Sequence, residues 1–313
     1  MNWANLVSTL AAAGLTGAAL AAIVSWLIKR SVEHQFNIRL EKFRISLQAE
    51  SARERAEVDA SIKITVETAL AESAAGRNYE WEARKRLYTV VSPLHFQLLL
   101  ACRDLAARIN EHGIHPTYAM QMGSYYGQST LYRILRPLAI CELVERQITV
   151  ADFSVDSIGM EILRFYKASM SIFSGAHVVG QHPKAIWDRQ EEHIFYHSIS
   201  SAVDHLIVSD RCMRFSEFEN LLLSGDLADN LHPFPEILES FSVDKKPIFW
   251  VRLISYAVLC ANFVNKHGDN EKLQFAPRHI ETRRLLEQSN DEYIRNELTK
   301  FVQRCDDVTS FKL

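Results

Sequence analysis

The sequence predicts an all-α fold. From Tyr79 onward apolar residues recur at intervals of three and four, whereas no segment alternates apolar and polar residues and no Asn-Gly or Asp-Gly pair marks a hairpin. The 313-residue chain is 48% hydrophobic, which is enough for a sizeable core, and its 11 glycines and 8 prolines are too few for a low-complexity chain. A net charge of −3 lacks the strongly basic character of nucleic-acid-binding domains, so nucleic acid is not an expected partner.

The first predicted element is a transmembrane helix within residues 1–30. Residues 2–28 carry no charged side chain, and roughly 20 apolar residues are enough to cross the hydrocarbon core. Trp3 and Trp26 lie near the two ends, where interfacial aromatic residues are expected. Lys29 and Arg30 follow the apolar run instead of preceding it, which is unlike a cleavable signal peptide. The pattern favours an uncleaved anchor, with a buried Ala-rich helix of a soluble protein as the alternative.

The basic flank also predicts the orientation of this anchor. Lysine and arginine stay on the cytoplasmic side of a membrane, so we expect a single pass through the inner membrane, with the N-terminus outside and the C-terminal domain in the cytoplasm. Membrane lipid is therefore an expected partner. Within the span, Ala13, Gly17 and Ala21 recur every four residues, and small residues at this spacing let two helices approach closely in lipid. They are candidate oligomerisation residues.

The second predicted element is a helical stalk over residues 31–76. The segment has no proline, and no glycine precedes Gly76. Phe36, Leu40, Phe43 and Leu47 follow the 4-3-4 spacing of a heptad seam, and beyond them the apolar residues fall into a mixed register. The seam favours a coiled-coil stalk and a homo-oligomer. The alternative is a juxtamembrane helix that folds back on the domain that follows.

The third predicted region is an all-α cytoplasmic domain over residues 77–313. The helix Pro247–His267 is apolar enough to suggest a second membrane span, but Arg252 interrupts it, so a buried core helix is the preferred interpretation. Capping residues, prolines and glycines predict the helix bounds as follows: Glu80–Glu111, Ser129 or Thr130 to Gln147, Asp156 to Gly175, Pro183–Val208, a helix opened by a Ser216–Glu219 capping box, Pro247–His267, Arg278–Gln288 and Asp291–Cys305.

Motifs for catalysis are sparse. Glycine-rich phosphate loops, GxSxG and HExxH are absent, and the five cysteines lie about forty or more residues apart, so neither a disulfide framework nor a zinc pair is indicated. We assign no catalytic residue and no cofactor from the sequence. One candidate metal site remains. His193 and His197 lie one turn apart on a predicted helix, and Asp204 lies two turns further. This spacing can hold a metal ion. The alternative is chance spacing in a histidine-rich helix.

A basic cluster, Arg84, Lys85 and Arg86, lies close to Trp81. Such a cluster can contact an anionic partner, although a solvated helix face has the same composition.

The order of these elements resembles a known type of protein. A single N-terminal span is followed by a basic flank, by the helix beginning Phe36-Asn-Ile-Arg-Leu-Glu-Lys-Phe43, and by a domain that starts Trp81-Glu-Ala-Arg-Lys-Arg-Leu-Tyr88. This arrangement resembles bacterial single-pass membrane-anchored helical proteins, some of which look like components of phage-defence islands. The resemblance covers the first hundred residues and implies no site residues.

Three function classes follow from these patterns. The first, which the sequence favours, is a membrane-anchored interaction or sensor/effector protein that oligomerises and binds a protein partner of unknown identity. The second is a metal-dependent hydrolase that uses His193 and His197. The third is a purely structural membrane scaffold.

Overall fold

The all-α prediction is confirmed by the computed structural model, which describes residues 17–148, 157–185, 192–225, 230–268 and 280–310. The helices in these ranges are α1 Gly17–Ile114, α2 Tyr125–Ile148, α3 Ser157–Ser174, α4 Tyr196–His205, α5 Phe215–Ser224, α6 Phe234–Glu239, α7 Pro247–His267, α8 Thr282–Leu286, α9 Glu292–Asn296 and α10 Leu298–Asp306. Short 3₁₀ turns occupy Pro183–Ala185 and Asp307–Ser310. Two strands of two residues each, β1 Ile207–Val208 and β2 Arg211–Cys212, form an antiparallel pair that the sequence did not indicate.

The chain divides into two compact units, residues 1–78 and 79–313. The described part of the first unit belongs entirely to α1. The sequence explains why this helix is long, since no proline lies between Gly17 and Gly76 and most positions hold good helix formers. Hydroxyls inside the helix bond back to the preceding turn, as when Thr65 Oγ1 donates to the Ser61 carbonyl at 2.8 Å.

The core of the second unit is built around α7. Its mean hydropathy reaches 1.6 and 94% of its most apolar stretch is buried, which confirms the prediction of a core helix. Tyr256 meets the ring of Phe173 on α3 with centroids 5.2 Å apart, and Trp250 Nε1 donates to the Leu285 carbonyl on α8 at 3.0 Å. These contacts fasten α7 to helices before and after it in the chain.

Among the described residues, α7 alone is long and apolar enough to cross a membrane. Residues 1–16 of the predicted N-terminal span, including Ala13, lie outside the described residues. The anchor therefore stays a prediction.

Two predicted helix starts are wrong, and in both cases a local hydrogen bond decides the correct one. The helix α2 begins at Tyr125 because Ser124 caps it, its Oγ accepting from the Gly127 N–H at 3.0 Å. Thr130, a predicted cap, lies inside the helix and donates to the Tyr126 carbonyl. The predicted capping box at Ser216 is also shifted, since Glu217 accepts from the Arg214 N–H at 2.7 Å and α5 starts at Phe215.

The predicted helix Pro183–Val208 is wrong for a tertiary reason. Helical structure in this region is limited to Pro183–Ala185 and α4 within the described residues. Glu192 accepts from the Phe249 N–H of α7 at 2.8 Å, and Phe195 is extended with φ −70° and ψ 145°. A bond to a distant helix thus holds this stretch out of the helix that its apolar spacing suggested.

The C-terminal prediction Asp291–Cys305 is partly wrong, because the stretch is divided into α9 and α10 near Glu297. Asp291 does cap, as its side chain accepts from the N–H groups of Tyr293 and Ile294. The predicted helix Arg278–Gln288 is described only as the shorter α8.

Candidate functional site

The most conspicuous surface of the chain is one face of α1. Phe36, Leu40, Phe43 and Leu47 are 63%, 52%, 66% and 50% exposed. Large apolar side chains at heptad spacing are normally covered by a second helix. A contiguous apolar stripe left open on a helix is characteristic of an interaction surface. We call these four residues the seam.

The part of α1 before the seam is also apolar and exposed. Val24, Trp26 and Ile28 are about half exposed, and Gly17 and Ala21 lie on the same helix. A Cβ added at Gly17 would have no atom of the described residues within 4 Å. The Arg30 guanidinium lies 5.0 Å from the centre of the Trp26 ring and forms a cation–π pair with it.

The basic cluster lies on the outer surface of α1 in the second unit. Arg84 and Lys85 are exposed, Lys85 Nζ lies 5.0 Å from the centre of the 62%-exposed Trp81 ring, and the side chain of Arg86 is outside the described residues. A shallow groove beside them is lined by Trp81, Glu82, Lys85, Thr89 and Val90. All these lining residues come from about two and a half turns of one helix, so the described groove has no opposing wall to enclose a ligand.

The three candidate metal ligands are placed differently from the sequence prediction. His193 precedes α4, whereas His197 lies on its exposed first turn, so the expectation of two imidazoles on one helix face is wrong. The Asp204 carboxylate accepts from Arg146 Nη2 at 2.5 Å. Among the described residues no group of three or more histidine, cysteine or acidic side chains is arranged to hold a metal ion.

A buried polar cluster that the sequence did not reveal lies between α3 and α7. Arg252 Nη1 donates to the carbonyls of Ile172 and, at 2.9 Å, Gly175, which satisfies the C-terminal end of α3. Glu192 meets the first amides of α7. Burial raises the pKa of Glu192 and lowers that of Arg252 to about 10. Each charge occupies a helix end whose partial charge is opposite to its own, so the cluster fastens helices together.

A second buried cluster joins α1 to α2. The Arg108 guanidinium lies 4.2 Å from the centre of the Tyr126 ring, and its Nη1 donates to Thr130 Oγ1 at 3.1 Å. His112 packs beside them, with its ring centroid 5.6 Å from that of Trp250. Burial, and then the positive charge of Arg108, lower the pKa of His112 to about 4. The imidazole is therefore neutral at physiological pH.

Neither buried cluster corresponds to a recognisable sequence motif. In the sequence, Arg252 is recognisable only as an interruption of an apolar helix, and no pattern marks Glu192. The available signal was a charged residue inside an otherwise apolar pattern, which is rarely buried unless it has partners.

Comparison of the chain with protein-family models, with curated proteins and with solved structures finds no match. The functional interpretation therefore depends on the geometry of the chain itself. Of the surfaces described above, the seam on α1 is a row of four large apolar side chains that are each at least half exposed.

Proposed function

We propose that this chain is a membrane-anchored helical interaction protein that self-assembles through α1 and binds a protein partner with its C-terminal helical domain on the cytoplasmic face of the inner membrane. The resemblance to phage-defence components supplies the biological setting of the proposal. The observation that supports it most directly is the exposure of the seam.

The energetics of the seam explain why both the stalk and the anchor enter the proposal. Covering eight side chains, four from each copy, contributes roughly 12 kcal/mol at about 1.5 kcal/mol each. Association costs about 4–15 kcal/mol in lost freedom and side-chain ordering, so the seam alone is marginal. Confinement of both copies to one membrane raises their effective concentration and can add orders of magnitude to the apparent affinity.

The anchor part of the proposal is supported by the start of α1. Its exposed apolar side chains continue the uncharged run of residues 2–28, and basic residues follow immediately. Burying such a surface in lipid removes it from water, and the basic flank suits anionic headgroups.

Charge placed in the seam should abolish assembly. The variant Leu40→Asp with Leu47→Asp is expected to shift the chain from oligomer to monomer, weakening association at least tenfold, because two carboxylates would be buried at the contact. Association is measured by crosslinking in membranes and by multi-angle light scattering in detergent. Gly17→Ile places its Cβ away from every described residue of its own chain, and it should weaken the crosslinking in membranes if the small-residue face contributes.

The chain provides a matched control on the opposite face of α1. Ile38 and Ile45 are also seven residues apart, are 41% and 60% exposed, and point about half a turn away from the seam. Ile38→Asp with Ile45→Asp adds the same charge and should leave assembly intact. A wild-type chain that is monomeric in both assays, or equal effects of the two double variants, would contradict the proposal.

A further inference from the structure

We propose that the self-association surface continues from Val32 to Ser73 as an 11-residue repeat, and that it is covered by the identical stripe of a second copy in parallel, in-register orientation. The inference rests on the proposed function, because it requires both copies to be anchored in the same membrane. It extends the seam well beyond Leu47, where the heptad spacing ends.

The pattern is visible when the spacing is counted as 4-4-3 instead of 4-3. Four repeats of three positions give twelve positions, which we call the stripe: Val32, Phe36, Leu40, Phe43, Leu47, Ser51, Glu54, Val58, Ile62, Thr65, Ala69 and Ser73. Residues 32–73 contain fourteen Asp, Glu, Lys or Arg side chains, and an even distribution would put four of them on twelve of the forty-two positions. The stripe holds one, Glu54. A continued heptad would instead place Glu50, Glu54 and Glu57 in succession at the contact.

The large apolar side chains of the stripe are exposed in its far half as well as in the seam. Val32, Val58 and Ile62 are 61%, 54% and 55% exposed, close to the values of the four seam residues. The far half of the stripe is therefore as open as the near half.

The geometry of α1 points to a second copy as the occupant. The helix is continuous from Gly17 through the stripe, so residues 32–73 cannot turn to lie along the bilayer surface while the segment before them spans it. Copies anchored in one membrane hold each stripe position at the same height. An 11-residue repeat has about 3.67 residues per turn, close to the helix's own period, so two nearly straight helices stay in contact over about 63 Å.

Charges beside the stripe fit the parallel register. Glu33, Arg44 and Arg55 border it on one side, and Arg39 and Glu50 border it on the other. In a parallel, in-register pair opposite borders meet, so Glu50 of each copy lies between Arg44 and Arg55 of its neighbour. Arg39 lies between Glu33 and Arg44 of the neighbour, so three of these four pairs are attractive. Such flanking pairs set register and orientation more than affinity.

Cysteine scanning tests the register directly. Single cysteines are introduced at 57, 58, 61, 62, 64 and 65 in the full chain carrying Cys212→Ser, since Cys212 is partly exposed and the other native cysteines are buried. A disulfide between equivalent residues needs Cα atoms within about 7 Å. Under mild oxidation in membranes, we expect positions 58, 62 and 65 to crosslink at least fivefold more than 57, 61 and 64. Phe43→Cys is the positive control, because both spacings place it at the contact.

The outcomes separate this inference from the proposed function. Crosslinking that peaks at 57, 61 and 64, or that occurs at Phe43→Cys but nowhere from 57 to 65, overturns the 11-residue stripe and leaves the oligomer standing. No crosslinking at any position, Phe43→Cys included, overturns both. A second readout needs no cysteine: Ile62→Asp should weaken association at least tenfold and the matched Ile64→Asp should not, with circular dichroism to confirm that both variants remain helical.

Discussion

His112 illustrates how burial of a single residue couples the stability of the domain to pH. Its ring lies among Tyr126, Phe241 and Trp250, with centroid distances of 5.6–6.0 Å, and it is 2% exposed. Burial, and secondly Arg108, lower its pKa from 6.5 to about 4. As the pH falls from 6.5 to 4, the unfolded chain therefore binds a proton before the folded chain does. The contribution of neutral His112 to the free energy of unfolding is complete above pH 6.5, and it is lost progressively as the pH falls from 6.5 to 4.

Replacing His112 with phenylalanine should remove this pH dependence. A depression of about 2.5 pKa units corresponds to about 3 kcal/mol of stability lost by pH 4. The free energy of unfolding is measured at pH 7 and pH 4.5 by tryptophan fluorescence, for which the adjacent Trp250 is a probe. We expect His112→Phe to lose markedly less stability than wild type between the two values.

The exposed His197 offers the control for this comparison. His197→Phe makes the same chemical change on the surface of α4 and should retain the wild-type pH dependence. If His112→Phe also retained it, another titrating group would be responsible for acid destabilisation.

The positions of individual side chains were harder to predict from the sequence than the class of the fold. The spacing of His193 and His197 indicated one helix face, yet His193 is outside α4 because the preceding Glu192 is bonded to α7. A hydrogen bond between residues fifty-seven apart leaves no mark in local periodicity. The seam residues lie on one face of α1, as their helical spacing indicates, and their role in oligomerisation stays a prediction.

At the scale of elements, the loop between α1 and α2 depends on one glycine. Ser124 Oγ donates to the Gln121 carbonyl and accepts from the Gly127 N–H, which draws the loop against the first turn of α2. A Cβ at Gly127 would overlap the backbone carbonyl oxygens of Met120 and Gln121. The loop is held further by the Met122 N–H, which donates to Glu239 on α6 at 2.9 Å.

Gly127→Ala should therefore destabilise the domain, and Gly123→Ala should not. The obstructing atoms at Gly127 are backbone and cannot rotate away, so we expect a loss of about 1–3 kcal/mol. Gly123 lies in the same loop with open space around it, and its alanine variant should remain within about 0.5 kcal/mol of wild type. Urea unfolding of both variants measures the difference in the free energy of unfolding. Equal effects would show that Gly127 does not pack closely against the carbonyl oxygens of Met120 and Gln121.

Helix interiors were more predictable than helix ends. The core helix α7 was predicted with its bounds, because Pro247 and Gly268 delimit a long apolar run. The starts of α2 and α5 were missed because several Ser, Thr and Glu residues compete for each cap, and hydrogen bonds between residues a few positions apart decide among them. Arg211, for example, donates to both oxygens of Glu217, which fixes Glu217 as the residue that meets the first turn of α5.

At the scale of the whole molecule, the sequence indicates where the apolar surfaces lie better than it indicates what they contact. The uncharged run, the seam and the core helix α7 were each recognisable from composition and period. Their assignments differ because α7 is buried by its own domain, whereas the large apolar side chains at the described start of α1 are exposed. That contrast favours lipid and a second copy as the surroundings of α1.

The basic residues that follow the uncharged run predict the orientation of the proposed anchor. Lys29, Arg30, Arg39, Lys42 and Arg44 all follow the uncharged run, and no charged residue lies between Met1 and Lys29. Moving this cluster through the hydrocarbon core would be costly, so we expect the side that carries it to stay in the cytoplasm. A fluorescent protein fused after Leu313 should therefore fluoresce, and a phosphatase that is active only in the periplasm should be inactive at the same position. The phosphatase fused before Met1 serves as the reciprocal control and should be active. Phosphatase activity at the C-terminal fusion would contradict the predicted orientation. The C-terminal domain, and any partner that it binds, would then lie on the periplasmic side of the membrane.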